Sequence, residues 1–316
     1  MTNEIIQIMI GLLCLYLGAE ALVNSSSSLA KRLHISPLII GLTIVAFGTS
    51  MPELIVSIKT SLSGHGAISI GNVVGSNIFN IAVILGVSAL ICPIQSHIKL
   101  IRIDTPIMIL VSILFAFFFH DRQLGRFEGA ILFTGIIIYT FLSFYLSKRS
   151  SQQEVTEIES ELSSFKIFRN IYIELAGILI GLALLIFGAN MLIDGSIRIA
   201  QQLEISEAVI GITIVASGTS LPELATSLVA AIRRNSDIAI GNVIGSNIFN
   251  ILSILGISSL LSPINTPDIR MINIYVMLLF SIILLPFIRT SFKLSRWEGA
   301  SLFAAYGAYI SYLLHG

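Results

Sequence analysis

GLTIVAFGTSMPELIVSIKTSLSGHGAISIGNVVGSNIFN, running from Gly41 to Asn80, recurs as GITIVASGTSLPELATSLVAAIRRNSDIAIGNVIGSNIFN from Gly211 to Asn250. The two blocks align without a gap at an offset of 170 residues, and 23 of the 40 positions are identical. Each carries one glutamate, Glu53 or Glu223, inside otherwise apolar sequence. A carboxylate within a membrane span is expensive and marks a functional site. Two of them, related by an internal repeat, point to transport across a membrane.

The composition around the blocks requires a bilayer as solvent: 55% of residues are hydrophobic, 11% are charged and the mean hydropathy is +0.92. The formal net charge is zero, so nothing suggests nucleic acid as a partner. Cys14 and Cys92 sit in or beside apolar runs, where isolated thiols serve as packing rather than as a disulfide or metal site. The first apolar stretch follows Glu4 rather than a basic segment and is longer than a signal-peptide core, so it reads as a retained span.

A hydrocarbon core of about 30 Å takes roughly 20 apolar residues per helix. Ten stretches qualify: 5–24, 37–62, 68–92, 104–120, 127–146, 172–196, 207–232, 238–262, 270–289 and 297–314. Similarity at the same offset extends outside the blocks, since Gly18-Ala19 matches Gly188-Ala189, Pro93 matches Pro263, and Arg126 and Glu128-Gly129 match Arg296 and Glu298-Gly299. The predicted organisation is therefore a five-span unit over 1–146, a linker over 147–170 and a second five-span unit over 171–316. Because five is odd, the second unit enters from the opposite side, which makes an all-α membrane protein of ten helices in two inverted repeats.

Basic residues fix the expected orientation. If the loop after the first span lies on side B, that side holds thirteen of the 18 Lys and Arg residues and the other side five. Side B is then cytoplasmic, with both termini extracytoplasmic and 147–170 cytoplasmic, in a plasma (inner) membrane. The linker carries Glu154, Glu157, Glu159 and Glu161 among basic residues, with Val155, Ile158 and Leu162 at helical spacing. It reads as a short surface helix or a tether, since its carboxylates lack the ligand spacing of a calcium loop.

Within each block, G-T-S-x-P-E (Gly48 to Glu53, Gly218 to Glu223) places hydroxyls three and four residues before the carboxylate, on one helix face. Pro52 and Pro222 lack an N–H, and with the preceding glycine they break the helix and free backbone carbonyls. Hydroxyl, carboxylate and carbonyl oxygens together suit hard cations such as Ca²⁺ or Na⁺, and no soft or imidazole ligand lies in the motif. In G-N-x-x-G-S-N-x-x-N, Ser76 and Asn80, like Ser246 and Asn250, add a hydroxyl and an amide oxygen four residues apart. Asn72, Asn77, Asn242 and Asn247 read as interhelical glue, and Thr43 and Thr213 as packing. Glu20 and Asp194, near span ends, read as snorkelling side chains.

These doubled motifs resemble the α-repeats of sodium/calcium exchangers, in the cation/calcium exchanger superfamily, and the resemblance covers essentially the whole chain. It implies a prokaryotic-type exchanger without a large regulatory loop, with four cation sites at the bilayer midplane built by the second, third, seventh and eighth spans. Carried over by motif position, Glu53 and Glu223 would be shared by calcium and sodium. Thr49, Ser50, Ser76, Thr219, Ser220 and Ser246 would flank them, with the carbonyls of Ala46 and Ala216, and Asn80 and Asn250 would line the middle. Some relatives have aspartate in place of Asn250, and its absence lowers the site charge and argues against potassium co-transport. The proton-coupled branch has G-N-x-x-E where this chain has G-T-S-x-P-E, so the sodium-coupled branch fits better.

The expectation is thus a Na⁺/Ca²⁺ antiporter working by alternating access, with Ca²⁺ and Na⁺ as transported ions, no cofactor and no assigned protein partner. A proton-coupled Ca²⁺ or cation antiporter is the alternative. A hydrolase using Ser50 or Ser220 would lack an evident base, because all five histidines fall near span ends or loops.

Overall fold

The computed structural model describes residues 2–158, 171–203, 216–267 and 269–315. Helices dominate. In chain order they are α1 (Thr2–Arg32), α2 (Pro37–Thr49), α3 (Met51–Leu62), α4 (Gly66–Ile91), α5 (Leu100–Phe118), α6 (Arg126–Ile158), α7 (Ile171–Gln202), α8 (Ala216–Gly218), α9 (Leu221–Ile232), α10 (Ser236–Leu261), α11 (Met271–Arg289) and α12 (Arg296–His315). Four two-residue strands lie between them: β1 (Ile94–Gln95), β2 (Gln123–Leu124), β3 (Ile264–Asn265) and β4 (Lys293–Leu294).

Seven described helices are long and apolar enough to cross a membrane, and α2 with α3 makes an eighth when that bent pair counts as one span. The chain is a multi-pass integral membrane protein. Its periphery says the same: Ile5, Ile6, Met9, Leu12, Leu13, Tyr16 and Leu17 are all exposed along α1, a face that only lipid would cover. By contrast α10 is buried along its whole apolar stretch, which puts it at the centre.

The expected boundaries need three corrections. Residues 37–62 do not form one straight span, because the helix bends by 46° at Ser50. This is the break anticipated from Pro52. The first part of the linker is no separate element, since α6 continues to Ile158; no glycine or proline interrupts residues 147–158. The last predicted span is present as α12, but its many alanines, glycines and tyrosines leave it below the hydropathy of the other seven. The start of the seventh predicted span, Thr213, and Glu159 and Glu161 of the linker lie outside the described residues.

Contacts between the halves recur at the sequence offset. Ile94 pairs with Leu294 in β1 and β4, and Leu124 pairs with Ile264 in β2 and β3, which is the same pairing with the halves exchanged. Helices α1 and α7 run antiparallel and touch backbone to backbone. A Cβ on Gly11 would stand 2.8 Å from the Gly188 carbonyl oxygen, and one on Gly18 would stand 2.8 Å from that of Gly181. Small residues are needed there because association within lipid depends on close packing rather than on a hydrophobic driving force.

The core around the site is made by α3, α4, α9 and α10, wrapped by α5, α6, α11 and α12. Single π-helical turns interrupt the ladder at Gly41–Val45, Asn80–Leu85, Leu100–Asp104 and Asn250–Leu255. Two of them start at Asn80 and Asn250, at the level of the blocks' last residues. Such turns re-aim side chains within an otherwise regular helix.

Candidate cation site

The two helix breaks set the geometry. Ser50 (φ −82°, ψ 8°) and Ser220 (φ −89°, ψ 9°) stand outside the helical region, immediately before Pro-containing helices whose first turns carry the glutamates. Glu53 and Glu223 are each only 1% exposed. The hydroxyls cross over. Ser50 Oγ donates to Glu223 Oε1 at 2.8 Å, and Ser220 Oγ donates to Glu53 Oε1 at 2.9 Å. Each carboxylate is therefore held by the other half's motif. Ser76 Oγ joins them, 3.1 Å from Ser220 Oγ.

Thr49 and Thr219 lie beside the other half's carboxylates, Thr49 next to Glu223 and Thr219 next to Glu53, and also reach the asparagines behind them. Thr49 Oγ1 donates to Asn242 Oδ1 at 3.1 Å, and Thr219 Oγ1 is 3.5 Å from Asn72 Oδ1. Those asparagines in turn donate to the glutamate backbones: Asn72 Nδ2 to the Glu53 carbonyl at 3.2 Å, and Asn242 Nδ2 to the Glu223 carbonyl at 3.4 Å. Ser57 and Ser227 complete the brace at 3.0 and 2.9 Å. Neither serine was singled out from sequence. Their signal was the E-x-x-x-S spacing that survives in both blocks.

A second network lies between Asn77, Asn80, Asn247 and Asn250. Asn77 Nδ2 and Asn247 Nδ2 each donate to the other's backbone carbonyl at 3.3 Å. A carbonyl only accepts, so these two amides have a fixed orientation and present Oδ1 to the remaining pair. Asn80 Nδ2 donates to Asn247 Oδ1 at 3.0 Å, and Asn250 Nδ2 donates to Asn77 Oδ1 at 2.9 Å. The oxygens of Asn80 and Asn250 are left facing away from their amide partners. Met108 and Met277, 3.7 Å from the donating nitrogens of Asn247 and Asn77, close the network with sulfur.

Five buried oxygens on the residues nominated from sequence have no partner: Glu53 Oε2, Glu223 Oε2, Asn80 Oδ1, Asn250 Oδ1 and Ser246 Oγ. Neither glutamate forms an ion pair among the described residues, whereas Arg32 pairs with Glu174, Arg233 with Glu20, and His97 with Asp237. Buried carboxylates without a cation, beside acceptors without a donor, leave a site short of positive charge. The donor set is oxygen throughout. Among the described residues no group of three or more His, Cys, Asp or Glu is placed to hold a metal.

Ala46 and Ala216 contribute less. The Ala46 carbonyl accepts the Ser50 N–H at 3.1 Å and has Thr49 Oγ1 at 3.4 Å, so it is engaged within its helix. Ala216 opens the three-residue α8 at the edge of the described residues. Thr43 returns its hydroxyl to the Ile39 carbonyl at 2.6 Å, as a packing residue does. Asp194 is exposed. Glu20 is not a free snorkelling side chain. It takes both a 3.1 Å and a 2.5 Å bond from Arg233 at the end of α9, and this carboxylate raises the Arg233 pKa above its usual value.

Known proteins match almost the whole chain. Residues 4–145 and 173–315 match the family described as sodium/calcium exchanger protein. The chain is 35% identical, over 99% of both sequences, to sodium/calcium exchanger MaX1 of Methanosarcina acetivorans. It is 37% identical to inner membrane protein YrbG of Escherichia coli, over 87% of this chain and 86% of that one. A solved structure of the sodium-calcium exchanger NCX_Mj superimposes with a TM-score of 0.85 at 34% identity, covering 98% of each chain. With both glutamate motifs inside the matched regions, the chain belongs to the sodium/calcium exchanger family.

Proposed function

We propose that this protein exchanges Na⁺ for Ca²⁺ across the membrane, using the paired glutamates and their flanking oxygens as a common cation cluster. The observation that carries the reading is the set of five unpartnered buried oxygens, one on each carboxylate and one each on Asn80, Asn250 and Ser246, with no cationic side chain paired to either carboxylate among the described residues. One Ca²⁺ supplies the two charges needed to neutralise Glu53 and Glu223. Several Na⁺ ions would instead spread over neighbouring oxygens of Thr49, Ser50, Ser76, Thr219, Ser220, Ser246 and the Ala46 and Ala216 carbonyls. The two loads are mutually exclusive because they use the same carboxylates. The crossed bonds from Ser50 and Ser220 hold one oxygen of each carboxylate in place and leave the other for the ion.

The chain comprises ten spans in two inverted five-span repeats, 1–146 and 171–316, joined by a cytoplasmic segment, with both termini outside a plasma membrane. The antiparallel course of α1 and α7 and the exchanged strand pairs support this arrangement. Alternating access follows from motion of the α1–α7 pair against the core, the pair moving as a unit because its glycines lock the two backbones together. Relatives support the ion pair: the NCX_Mj structures concern extracellular ion exchange and include a soak with Na⁺ and Ca²⁺.

The test is radioactive Ca²⁺ uptake into sodium-loaded proteoliposomes diluted into sodium-free buffer. Uptake that needs the outward Na⁺ gradient and disappears in Glu53→Gln supports the reading. Uptake driven by a pH gradient alone assigns the protein to proton-coupled transport, and uptake indifferent to any counter-ion indicates a channel.

A further inference from the structure

A pocket of about 710 Å³ opens where the β1 segment, the α9–α10 turn and the start of α12 meet, on the basic-rich side B. Its charged lining is Arg234, Arg296, His97 and Asp237. Arg234 stands at φ +58°, a left-handed conformation that glycine adopts freely and other residues adopt at a cost. The matching residue of the other half, 170 positions earlier, is Gly64 at φ +78°. The turn is thus shaped for glycine, and here it holds a guanidinium.

Among the described residues the Arg234 guanidinium has no partner. Arg122, also left-handed, donates through Nη1 to the Pro267 carbonyl at 2.7 Å, but Arg234 makes no side-chain hydrogen bond or ion pair among the described residues. Arg296 reaches only the Ile91 carbonyl, at 3.5 Å. Asp237, the acidic residue of the lining, already faces His97 at 3.1 Å. Among the described lining residues two arginines stand against one carboxylate, so the pocket carries net positive charge. A basic residue needed only to orient the chain could sit anywhere in the loop and would require neither the left-handed position nor a concavity.

We propose that this pocket binds a phosphate group, with the Arg234 and Arg296 guanidinium forks as its ligands. The group belongs to the headgroup of an anionic phospholipid or to a soluble phosphate. Ile91 and Ile232, 48% and 55% exposed, are among the lining residues and offer apolar surface to acyl chains. Trp297, 83% exposed beside Arg296, places this level at the membrane interface. The opposite end of the repeat has Gly64 in place of Arg234, so the pocket is a property of one side of the membrane.

The experiment uses the full chain in detergent micelles and follows thermal unfolding during titration with phosphatidylglycerol, phosphatidylcholine or inorganic phosphate at constant ionic strength. Arg234→Gly restores the residue that the turn geometry favours, so its unfolding midpoint in phosphatidylcholine should equal or exceed that of the parent. Phosphatidylglycerol should raise the parent's midpoint saturably, and each arginine lost should shift half-saturation about five-fold. Protection by inorganic phosphate with no further effect of phosphatidylglycerol supports the site and identifies the donor as soluble. Equal responses of the parent and Arg234→Gly/Arg296→Gln to both probes would overturn the proposal.

Discussion

Asn247→Ala tests whether the asparagine network positions the cation cluster. Asn247 Oδ1 is the acceptor of Asn80 Nδ2 at 3.0 Å, and its own Nδ2 fixes which way round the amide lies by donating to the Asn77 carbonyl. That carbonyl keeps its helical bond from the Asn80 N–H, so truncation strands one buried group, Asn80 Nδ2. An unsatisfied buried donor costs about 1–3 kcal/mol. The Asn80 amide recovers part of this by rotating, which turns its NH₂ toward the cluster in place of Oδ1 and opposes a cation. At roughly 1.4 kcal/mol per tenfold, the half-saturating Ca²⁺ concentration should rise between about 5-fold and 150-fold. The assay is Na⁺-gradient-driven Ca²⁺ uptake over a range of Ca²⁺, alongside the unfolding midpoint of the same preparation. A double-mutant cycle adds the discriminating readout: if Asn247 acts through Asn80, Asn80→Ala/Asn247→Ala should be no worse than Asn80→Ala alone. A lowered midpoint with unchanged Ca²⁺ half-saturation would refute the positioning argument and leave Asn247 as helix glue.

Further outcomes are expected. Asn77→Ala should reproduce the Asn247→Ala phenotype through Asn250, since the bonds are reciprocal; a silent variant would separate the two halves. Glu53→Gln and Glu223→Gln should each abolish Ca²⁺ uptake while the protein still inserts, and wild-type flux in either would sink the cluster assignment. Ser50→Ala and Ser220→Ala each delete a hydrogen bond to a carboxylate, about 1.5–3 kcal/mol, and should weaken Ca²⁺ uptake by roughly one to two orders of magnitude in half-saturation. Gly18→Leu forces a side chain against the Gly181 carbonyl, 2.8 Å from the Cβ position, and should lower the unfolding midpoint through overpacking of at least about 1–3 kcal/mol. An unchanged midpoint would mean that α1 and α7 separate easily.

Much of this protein is decided by local sequence. The repeat at Gly41 and Gly211, the apolar stretches and the intramembrane glutamates are legible because span length, helix breaking by Pro52 and Pro222, and the cost of a buried carboxylate are properties of short segments in a bilayer. The offset of 170 residues even anticipates which residues are equivalent. What sequence could not supply is which half serves which carboxylate. From spacing, Thr49 and Ser50 share a face with Glu53, yet Ser50 bonds Glu223 and Thr49 bonds Asn242, both in the other half. Likewise Asn77 and Asn247 read as glue until their crossed bonds revealed that they set the orientation of Asn250 and Asn80. A helix periodicity fixes a direction around one axis; it carries no information about what stands opposite. That second partner is decided only when α3, α4, α9 and α10 pack, because a low-dielectric core favours pairing the serine and asparagine donors with acceptors across the interface and leaves the remaining oxygens for the ion.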